Sequence, residues 1–202
     1  MKGVRSNCKA QIVHDGTVTA ESTGELQWTE YGLSGPVIFE ISRDVCQGGG
    51  EWLCRLDLLP ECQADELMEE LKRRRGGSLT AEDLLTGILH NRLGRVLTQT
   101  VGIKAQRSVA SLEDWELEKV CQTVLGLEIP LTEPMGMDAA QVPAGGIYTS
   151  EFDPKTMESH LVPGLYACGE VLDVDGDCGG FNLQWAWSSG RCAGHSAGKE
   201  LL

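Results

Sequence analysis

The stretch GEVLDVDGDCGGFNLQWAW, residues 169–187, decides how the chain folds and what it can bind. Three aspartates, Asp173, Asp175 and Asp177, lie just before a Gly-Gly pair, and the residues that follow have the pattern of a helix beginning near Asn182. Three interpretations fit this order of residues. They are a calcium loop, a cradle for an anionic or electron-rich ligand, and a turn whose acids serve solubility.

The calcium interpretation fails at two positions. In an EF-hand loop beginning at Asp173, position 6 must be a glycine for the turn and position 12 a bidentate glutamate. Those positions hold Cys178 and Gln184. The residues before the loop, GLYACGE, also have the pattern of a strand where an EF-hand has a helix. We therefore expect no calcium site here.

The cradle interpretation uses the expected order of strand, loop and helix. A strand over residues 161–170 is predicted to end at Gly169 and Glu170, and the loop then leads to the helix. The N–H groups in the first turn of a helix lack partners and carry a partial positive charge. Glycines just before them let a ligand approach the backbone, and a carboxylate at a strand end can accept hydrogen bonds from sugar-like hydroxyls. The residues alone support this cradle and a turn capped by Asn182 equally.

The N-terminal quarter of the chain predicts a hairpin, a helix and a further strand. Residues 8–28 form two apolar-alternating runs separated by Asp15-Gly16, a strong hairpin signal. Ser34 is predicted to cap a helix with one apolar face, and the glycines at 48–50 are predicted to end this part of the chain. Residues 51–59 alternate as a strand does.

Residues 62–125 predict three helices that pack together. The first carries Leu67 and Leu71 on one face. Thr80 is expected to cap the second. Ser111 is expected to cap the third, with Trp115 on its inner face. Strands are expected to return after residue 126.

The last part of the chain is predicted to end in a long helix, from about residue 182 to 201. Small residues recur on it at three- and four-residue spacing, and such a face permits close packing on a sheet or a helix. They are Ala186, Gly190, Ala193, Gly194 and Ala197. The fold class is therefore α/β in the α+β sense. We expect a mixed, β-barrel-like domain over residues 1–140, with its helical subdomain at about 62–125, and a separate segment over 141–202.

Composition excludes several classes of protein. The chain has 202 residues and a formal charge of −13, so its surface repels a phosphate backbone and nucleic acid is not an expected partner. No apolar run approaches the roughly 18 residues of a membrane span, and the N-terminus has no signal-peptide pattern. We expect a cytoplasmic protein. The eight cysteines include no CxxC pair, so no metal site is expected.

Three stretches resemble a family of bacterial flavoproteins, the aminoacetone-oxidase-like or NAD(P)/FAD-dependent oxidoreductases. The most specific is GLYACGEVLDVDGDCGGFNLQWAWSSGRCAG; the others are TEYGLSGPVIFEISR and AGGIYTSEFDPKTMESHLVPG. The resemblance covers nearly the whole chain. It departs at Glu30, where the family usually has histidine.

The resemblance implies that FAD is the cofactor, and it implies a role for each matching residue. Glu170, next to Gly169, would bind a ribityl hydroxyl, and the loop acids would lie beside the ribityl and phosphate region. The start of the last helix would bring backbone N–H groups to the N1/C2=O edge of the flavin, and a Gly-Gly turn would lie against the ring. The residues concerned are Gly145, Gly146, Gly169, Glu170, Asp173, Asp175, Gly179, Gly180, Phe181, Asn182 and Leu183. Glu30 and Tyr31 are candidates to face the substrate, and no catalytic base is identified.

The family's N-terminal strand–GxGxxG–helix unit, which holds the FAD pyrophosphate, has no match in this sequence. The resemblance therefore implies the C-terminal half of an FAD-dependent oxidoreductase: an inserted domain, then the last strands and helix of an incomplete Rossmann-like FAD domain. Such a fragment would hold FAD weakly or not at all alone. Its expected partners are FAD, NAD(P)H or a small-molecule substrate, and a missing N-terminal half or a second copy. The alternative is a non-catalytic structural or interaction module that binds no flavin by itself.

Overall fold

A computed structural model describes residues 1–45, 50–133, 135–140 and 142–200, with the side chain of residue 200 excluded. The chain divides into two compact units, Met1–Pro134 and Met135–Leu202. Two of the glycines predicted to end the first helical part, Gly48 and Gly49, lie outside the described residues. None of the described helices is both long enough and apolar enough to cross a membrane.

A curled antiparallel sheet organises the first unit. Its strands are β1 (Arg5–His14), β2 (Thr17–Trp28), β3 (Leu33–Ser34), β4 (Trp52–Asp57) and β5 (Leu127–Leu131). Their order is β3-β2-β1-β4-β5, and each neighbouring pair is antiparallel. The predicted hairpin is confirmed, because Asp15 and Gly16 join β1 to β2 with φ of 47° and 81°. The strand predicted over residues 51–59 is confirmed as β4, and the first strand expected after residue 126 is confirmed as β5. Barrel-like closure is not seen in the described ranges, where β3 and β5 are opposite edges.

Helix α1 (Pro36–Val45) packs its apolar face into the core of this unit, with Val37 and Ile41 buried. The predicted Ser34 cap is wrong, because Ser34 belongs to β3 and pairs with Gln27. The helix instead starts at Gly35, whose carbonyl accepts hydrogen bonds from the N–H groups of Ile38 and Phe39 at 3.0 Å each. Gly35 has φ of 100°, and a Cβ there would lie 2.7 Å from the Glu25 carbonyl oxygen. The chain therefore turns too close to β2 for any other residue.

The helical part of the first unit contains α2 (Ala64–Arg73), α3 (Asn91–Thr100) and α4 (Asp114–Leu125). The prediction of a helix capped by Thr80 is wrong. A 3-10 turn over Ala81–Asp83 follows Thr80 instead, and the second helix begins only at Asn91. Arg74 Nη1 donates to the carbonyl oxygens of Leu84 and Thr86, both at 2.8 Å. These two carbonyls therefore accept from a side chain and not from the N–H groups of a helix.

The third helix begins later than predicted, and this changes which side chains it buries. Glu113 forms a capping box with Glu116, and Ser111 lies in the preceding 3-10 turn. The expected inner position of Trp115 is wrong, because its side chain is 56% exposed and lies against the Lys119 ammonium. The shifted start turns Trp115 outward and places Glu116 in the buried position.

The second unit has a small core and one long helix, α5 (Phe181–Glu200), within one residue of its predicted ends. Its buried apolar side chains are Phe152, Met157, Leu172 and Ala193. The strand predicted over 161–170 is not formed in the described residues. Only Tyr166 makes a bridge there, to Glu158, because the turn through Gly164, with φ of 78°, breaks the extended backbone.

Candidate functional site

The Gly-Gly turn at 145–146 is hydrogen-bonded to the start of the acidic loop, the segment that contains Asp173, Asp175 and Asp177. Ile147 N–H donates to the Val171 carbonyl and Asp173 N–H donates to the Ile147 carbonyl, both at 2.9 Å. A Cβ at Gly146 would lie 2.7 Å from the Asp173 nitrogen, whereas one at Gly145 would meet nothing within 4 Å. A glycine is therefore required at position 146 because two backbone segments approach each other closely there. The space beside Gly145 is open.

Gly169 is fixed against α5 by two helix side chains that the sequence did not single out. Its N–H donates to Ser189 Oγ at 2.9 Å, and its carbonyl accepts from Trp185 Nε1 at 3.1 Å. Ser189 is a buried polar residue, and its spacing of four from Trp185 is the one signal that could have identified the pair. The neighbouring Glu170 side chain is exposed and forms no hydrogen bond with any described residue. Gly169 and Glu170 begin a 3-10 turn rather than ending a strand.

The N-terminus of α5 is open. Gly179 and Gly180 precede it with φ of 132° and 94°, and a Cβ at Gly180 would meet nothing within 4 Å. The first-turn N–H groups of Phe181, Asn182 and Leu183 have no acceptor within a helix, and no described residue supplies one. These groups can therefore donate to an external acceptor.

The turn interpretation expected Asn182 to cap this helix, but Asn182 does not do so. The helix already begins at Phe181, and the Asn182 side chain reaches back to the loop. Its Oδ1 accepts from Gly176 N–H at 2.8 Å, and its Nδ2 donates to the Gly176 carbonyl at 3.0 Å. Asn182 thus fixes the shape of the acidic loop and leaves the first-turn donors free.

Among the loop acids, Asp173 has an unusual environment. Its Oδ1 is buried and has no hydrogen-bond partner among the described residues. The partly exposed Asp175 and the exposed Asp177 follow it. No group of three or more His, Cys, Asp or Glu side chains that could hold a metal ion occurs in the described ranges.

The family-like run after residue 153 forms a local turn. The Asp153 carboxylate accepts from the N–H groups of Lys155 and Thr156, at 2.7 and 3.0 Å, and these two bonds hold the pKa of Asp153 below its usual range. Met157 follows with φ of 61° and is buried, and Glu158 accepts from Gly164 N–H. These contacts account for the run structurally.

The two substrate-facing candidates belong to the first unit, whereas the other predicted site residues belong to the second. Glu30 and Tyr31 lie in the turn between β2 and β3, closed by a hydrogen bond from Thr29 N–H to the Gly32 carbonyl. Glu30 pairs with Lys2 at 2.6 Å. Tyr31 is 69% exposed. Both side chains are accessible to a ligand, and nothing in the turn assigns them chemistry.

A glycine-rich loop in front of an open helix N-terminus is the arrangement with which Rossmann-type proteins hold a nucleotide cofactor. The family comparison agrees with this class. A model of the HI0933-like protein Rossmann domain matches residues 62–196. The chain belongs to the HI0933-like family.

Individual relatives are similar over most of the chain. A 3-dehydro-bile acid delta(4,6)-reductase from Clostridium scindens is 40% identical over 207 residues, which cover 98% of this chain and 50% of the relative. A ribosomal RNA dihydrouridine synthase from Escherichia coli is 34% identical over 175 residues, covering 87% of this chain and 42% of the relative. Its namesake from Haemophilus influenzae is 31% identical over 183 residues, covering 87% and 43%. The chain thus spans half or less of the length of these relatives.

Proposed function

We propose that the chain forms part of an FAD-dependent oxidoreductase, to which it contributes the contacts with the flavin ring and ribityl chain. The observation that carries this proposal is the open N-terminus of α5 behind Gly179 and Gly180, in a chain of a Rossmann-domain family. The first unit, with Glu30 and Tyr31, would be the inserted domain on the substrate side. Residues 141–202 would complete a Rossmann-like FAD domain.

Each part of the second unit has a role in this proposal. The free N–H groups of Phe181, Asn182 and Leu183 would donate to the N1/C2=O edge, where a helix N-terminus stabilises negative charge. Glu170, which has no described partner, would accept from a ribityl hydroxyl. The open space at Gly145 and Gly180 leaves room for a flat ring. Bound FAD would supply the acceptor or donor of the electron pair in the reaction.

The pyrophosphate of FAD needs an anchor that these residues do not provide. GxGxxG does not occur in the sequence, and the relatives have as much chain again outside the aligned part. A few uncharged hydrogen bonds contribute about 0.5–1.5 kcal/mol each, which does not offset the roughly 4 kcal/mol or more lost in immobilising a ligand. We therefore propose that a further Rossmann segment supplies this anchor and that the chain alone holds FAD weakly.

Charge supports the proposed substrate class. The relatives are named for a bile acid and for ribosomal RNA, which are very different substrates. In this chain the basic cluster Lys72–Arg75 is already paired, two of its members with Glu70 and two with Asp114. With a net charge of −13 and these cations neutralised, a small organic substrate or NAD(P)H fits better than RNA. The aminoacetone-oxidase-like branch is the one that the sequence motifs favour.

The test is a titration of FAD, followed by flavin absorbance at about 450 nm and by fluorescence quenching. The chain is titrated alone and together with the N-terminal half of the Clostridium scindens relative. The site variant is Gly180→Ala. The matched control is Gly102→Ala, because Gly102 has φ of 90° against 94° at Gly180 and equally open space around its Cβ position.

We expect weak binding by the chain alone and at least tenfold tighter binding by the pair. Gly180→Ala should weaken FAD binding by the pair, and Gly102→Ala should leave it unchanged although both substitutions strain the backbone equally. The non-catalytic alternative predicts no flavin binding by the chain alone and no tighter binding when the chain is added to the N-terminal half. Sub-micromolar binding by the chain alone would show that the pyrophosphate anchor is wrongly assigned.

A further inference from the structure

A cavity of about 560 Å³ lies in the first unit, where the end of α2 meets the segment that follows Thr80. Its volume falls within the roughly 300–1,000 Å³ of small-molecule pockets. Its lining includes the side chains of Arg73, Arg74, Asp83 and Thr86. The cavity therefore belongs to a different unit from the proposed flavin site.

The Arg74 guanidinium is held in one orientation by three acceptors. Its Nε donates to Glu70 Oε1 at 2.7 Å, and its Nη1 donates to the Leu84 and Thr86 carbonyls at 2.8 Å each. Its Nη2 has no acceptor among the described residues and is not one of their buried unpaired atoms, so it reaches solvent. A guanidinium already fixed in place can donate these remaining N–H groups to an oxyanion at little further loss of side-chain freedom.

Arg73 supplies a second guanidinium at the same cavity. Its Nε and Nη2 donate to the two carboxylate oxygens of Glu70, both at 2.8 Å, and its Nη1 has no partner among the described residues. One carboxylate thus serves both arginines, which leaves N–H donors on each of them. Carboxylate and phosphate groups are the acceptors that guanidinium donors bind most strongly.

Asp83 adds an acceptor to the lining. Its Oδ1 lies 3.4 Å from Arg95 Nη2 and 3.5 Å from Thr86 Oγ1, and both distances are long for hydrogen bonds. This carboxylate can therefore accept a shorter bond from a ligand. Because it also repels negative charge, an anion that carries a hydroxyl donor fits the cavity better than a bare anion.

We propose that this cavity binds a small organic anion that carries hydroxyl groups. The carboxylate or phosphate of the ligand accepts hydrogen bonds from Arg73 and Arg74, and a ligand hydroxyl donates to Asp83. Since Glu70 already offsets part of the positive charge, the site holds one small anion and offers no track for a polymer of phosphates. The proposal is independent of the flavin function, and its failure would leave that function untouched.

Three small molecules with the same carbon skeleton length test the site. Glycerol 3-phosphate carries a phosphate with hydroxyls, glycerate carries a carboxylate with hydroxyls, and glycerol carries hydroxyls alone. Each is titrated into the full chain, and ¹⁵N NMR follows the backbone resonances of Gly76 and Gly77 and the Nε resonance of Arg74. Gly76 and Gly77 are suitable reporters because both line the cavity.

The site variant is Arg73→Gln. The Arg73 side chain is 75% exposed, against 16% for Arg74, so its loss spares the hydrogen bonds that Arg74 makes within the fold. The matched control is Arg5→Gln, which removes the same charge from an exposed side chain that also pairs with a glutamate, Glu25, at 3.3 Å.

At least one of the two anions should shift the reporter resonances saturably in the millimolar range, and glycerol should not. Arg73→Gln should weaken that binding about tenfold, and Arg5→Gln should leave it unchanged. Saturation by glycerol 3-phosphate alone would assign a phosphate to the site, and saturation by glycerate alone a carboxylate. The proposal is overturned if neither anion saturates, if glycerol causes equal shifts, or if the two variants lose binding equally.

Discussion

Arg107 binds the buried carboxylate of Glu116 with two of its guanidinium nitrogens, one of them, Nη2, at 2.9 Å from Oε2. The same Arg107 Nη2 donates to the Ser111 carbonyl at 2.7 Å, and Glu116 Oε2 also accepts from Glu113 N–H at 2.9 Å. One ion pair thus fastens the start of α4 to the segment before it. The Glu116 side chain is 8% exposed and that of Arg107 36%.

Arg107→Ala should destabilise the first unit by about 2 kcal/mol, between the values for exposed and fully buried pairs, because it leaves the Glu116 carboxylate buried without its cation. Urea unfolding followed by circular dichroism measures this loss. Arg55→Ala is the control, since it breaks the exposed Arg55–Glu128 pair at 2.8 Å and should cost about 0–1 kcal/mol. Equal losses in the two variants would show that the Arg107 pair has no special role.

Acid should destabilise the first unit in a defined pH range. Hydrogen bonds from Arg73 and then Arg74 lower the pKa of Glu70 from 4.5 to about 2. At Glu116 burial opposes ionisation most, yet the Glu113 N–H and Arg107 together bring its pKa below 4.5. Depressed carboxyl pKa values give stability that is complete above the unfolded-state pKa and is lost as pH falls through the folded-state pKa. The free energy of unfolding should therefore decline between about pH 4.5 and 2.

The Arg107→Ala variant checks the origin of this decline, because the Glu116 pKa should return toward or above its ordinary value. The fall in unfolding free energy below pH 4.5 should then be smaller than in the unsubstituted chain. Urea titrations at several pH values provide the comparison. An identical pH profile for both proteins would show that Glu116 does not contribute.

Gly35→Ala should cost more stability than the same change at Gly102, whose φ of 90° is close to the 100° of Gly35. A Cβ at Gly35 would lie 2.7 Å from the Glu25 carbonyl oxygen and 2.9 Å from the Gln27 nitrogen, whereas one at Gly102 would meet nothing within 4 Å. Alanine at either position would have to adopt a positive φ, which costs about 1–2 kcal/mol of strain. Only at position 35 would its Cβ also clash with the backbone. We expect a melting temperature at least 5 °C lower for Gly35→Ala than for Gly102→Ala, given the usual shift of about 4–8 °C per kcal/mol in small domains.

Limited proteolysis should cut first between Met135 and Ala144. The described residues there are mostly exposed, and the division between the two units falls at Pro134 and Met135. Exposed connecting backbone with small and polar residues is the preferred site of nicking. Mass spectrometry of early elastase fragments identifies the site. First cleavage within residues 84–100 would contradict the proposed division into 1–140 and 141–202.

Calcium should not stabilise the chain. Gln184 stands where a calcium loop needs its glutamate, and it lies on α5 with its side chain bound to Ser188 Oγ at 2.9 Å. The melting temperature should therefore change by less than about 1 °C at micromolar free calcium. A rise of several degrees would favour the calcium interpretation of the acidic loop over the flavin proposal.

The hairpin turn was predicted correctly from the sequence, whereas the helix starts expected at Ser34, Thr80 and Ser111 were not. The Asp15-Gly16 turn is a property of two residues, and the hairpin was predicted from it. The helix expected after Thr80 fails because Arg74, ten and twelve residues before Leu84 and Thr86, donates hydrogen bonds to their carbonyls. Trp115 was misplaced because the start of α4 depends on the Glu113–Glu116 capping box, and a shift of two residues, about 200° around the helix, turns a helix face outward.

The candidate site shows the same division. The sequence motifs predicted the segments of the proposed site, and the structure places the backbone of residues 145–147 against 171–173 and the Asn182 side chain against the loop before α5. The sequence could not show that Gly146 is required by the backbone of residues 171–173, nor that Trp185 and Ser189 hold Gly169. The unpaired state of Asp173 Oδ1 depends on burial, which no motif encodes.

The two units have cores of very different size, and this has a calorimetric consequence. Among its described residues the second unit buries Phe152, Met157, Leu172 and Ala193 as its apolar centre, against a core in the first unit drawn from its sheet and its described helices. Thermal unfolding of the chain should therefore depart from a single two-state transition, with the smaller unit melting first. A molecule that binds only the folded second unit would raise that first transition in proportion to the logarithm of its concentration and leave the later one in place. Heat capacity curves would thus report occupancy of the proposed flavin site without any colour or catalytic turnover.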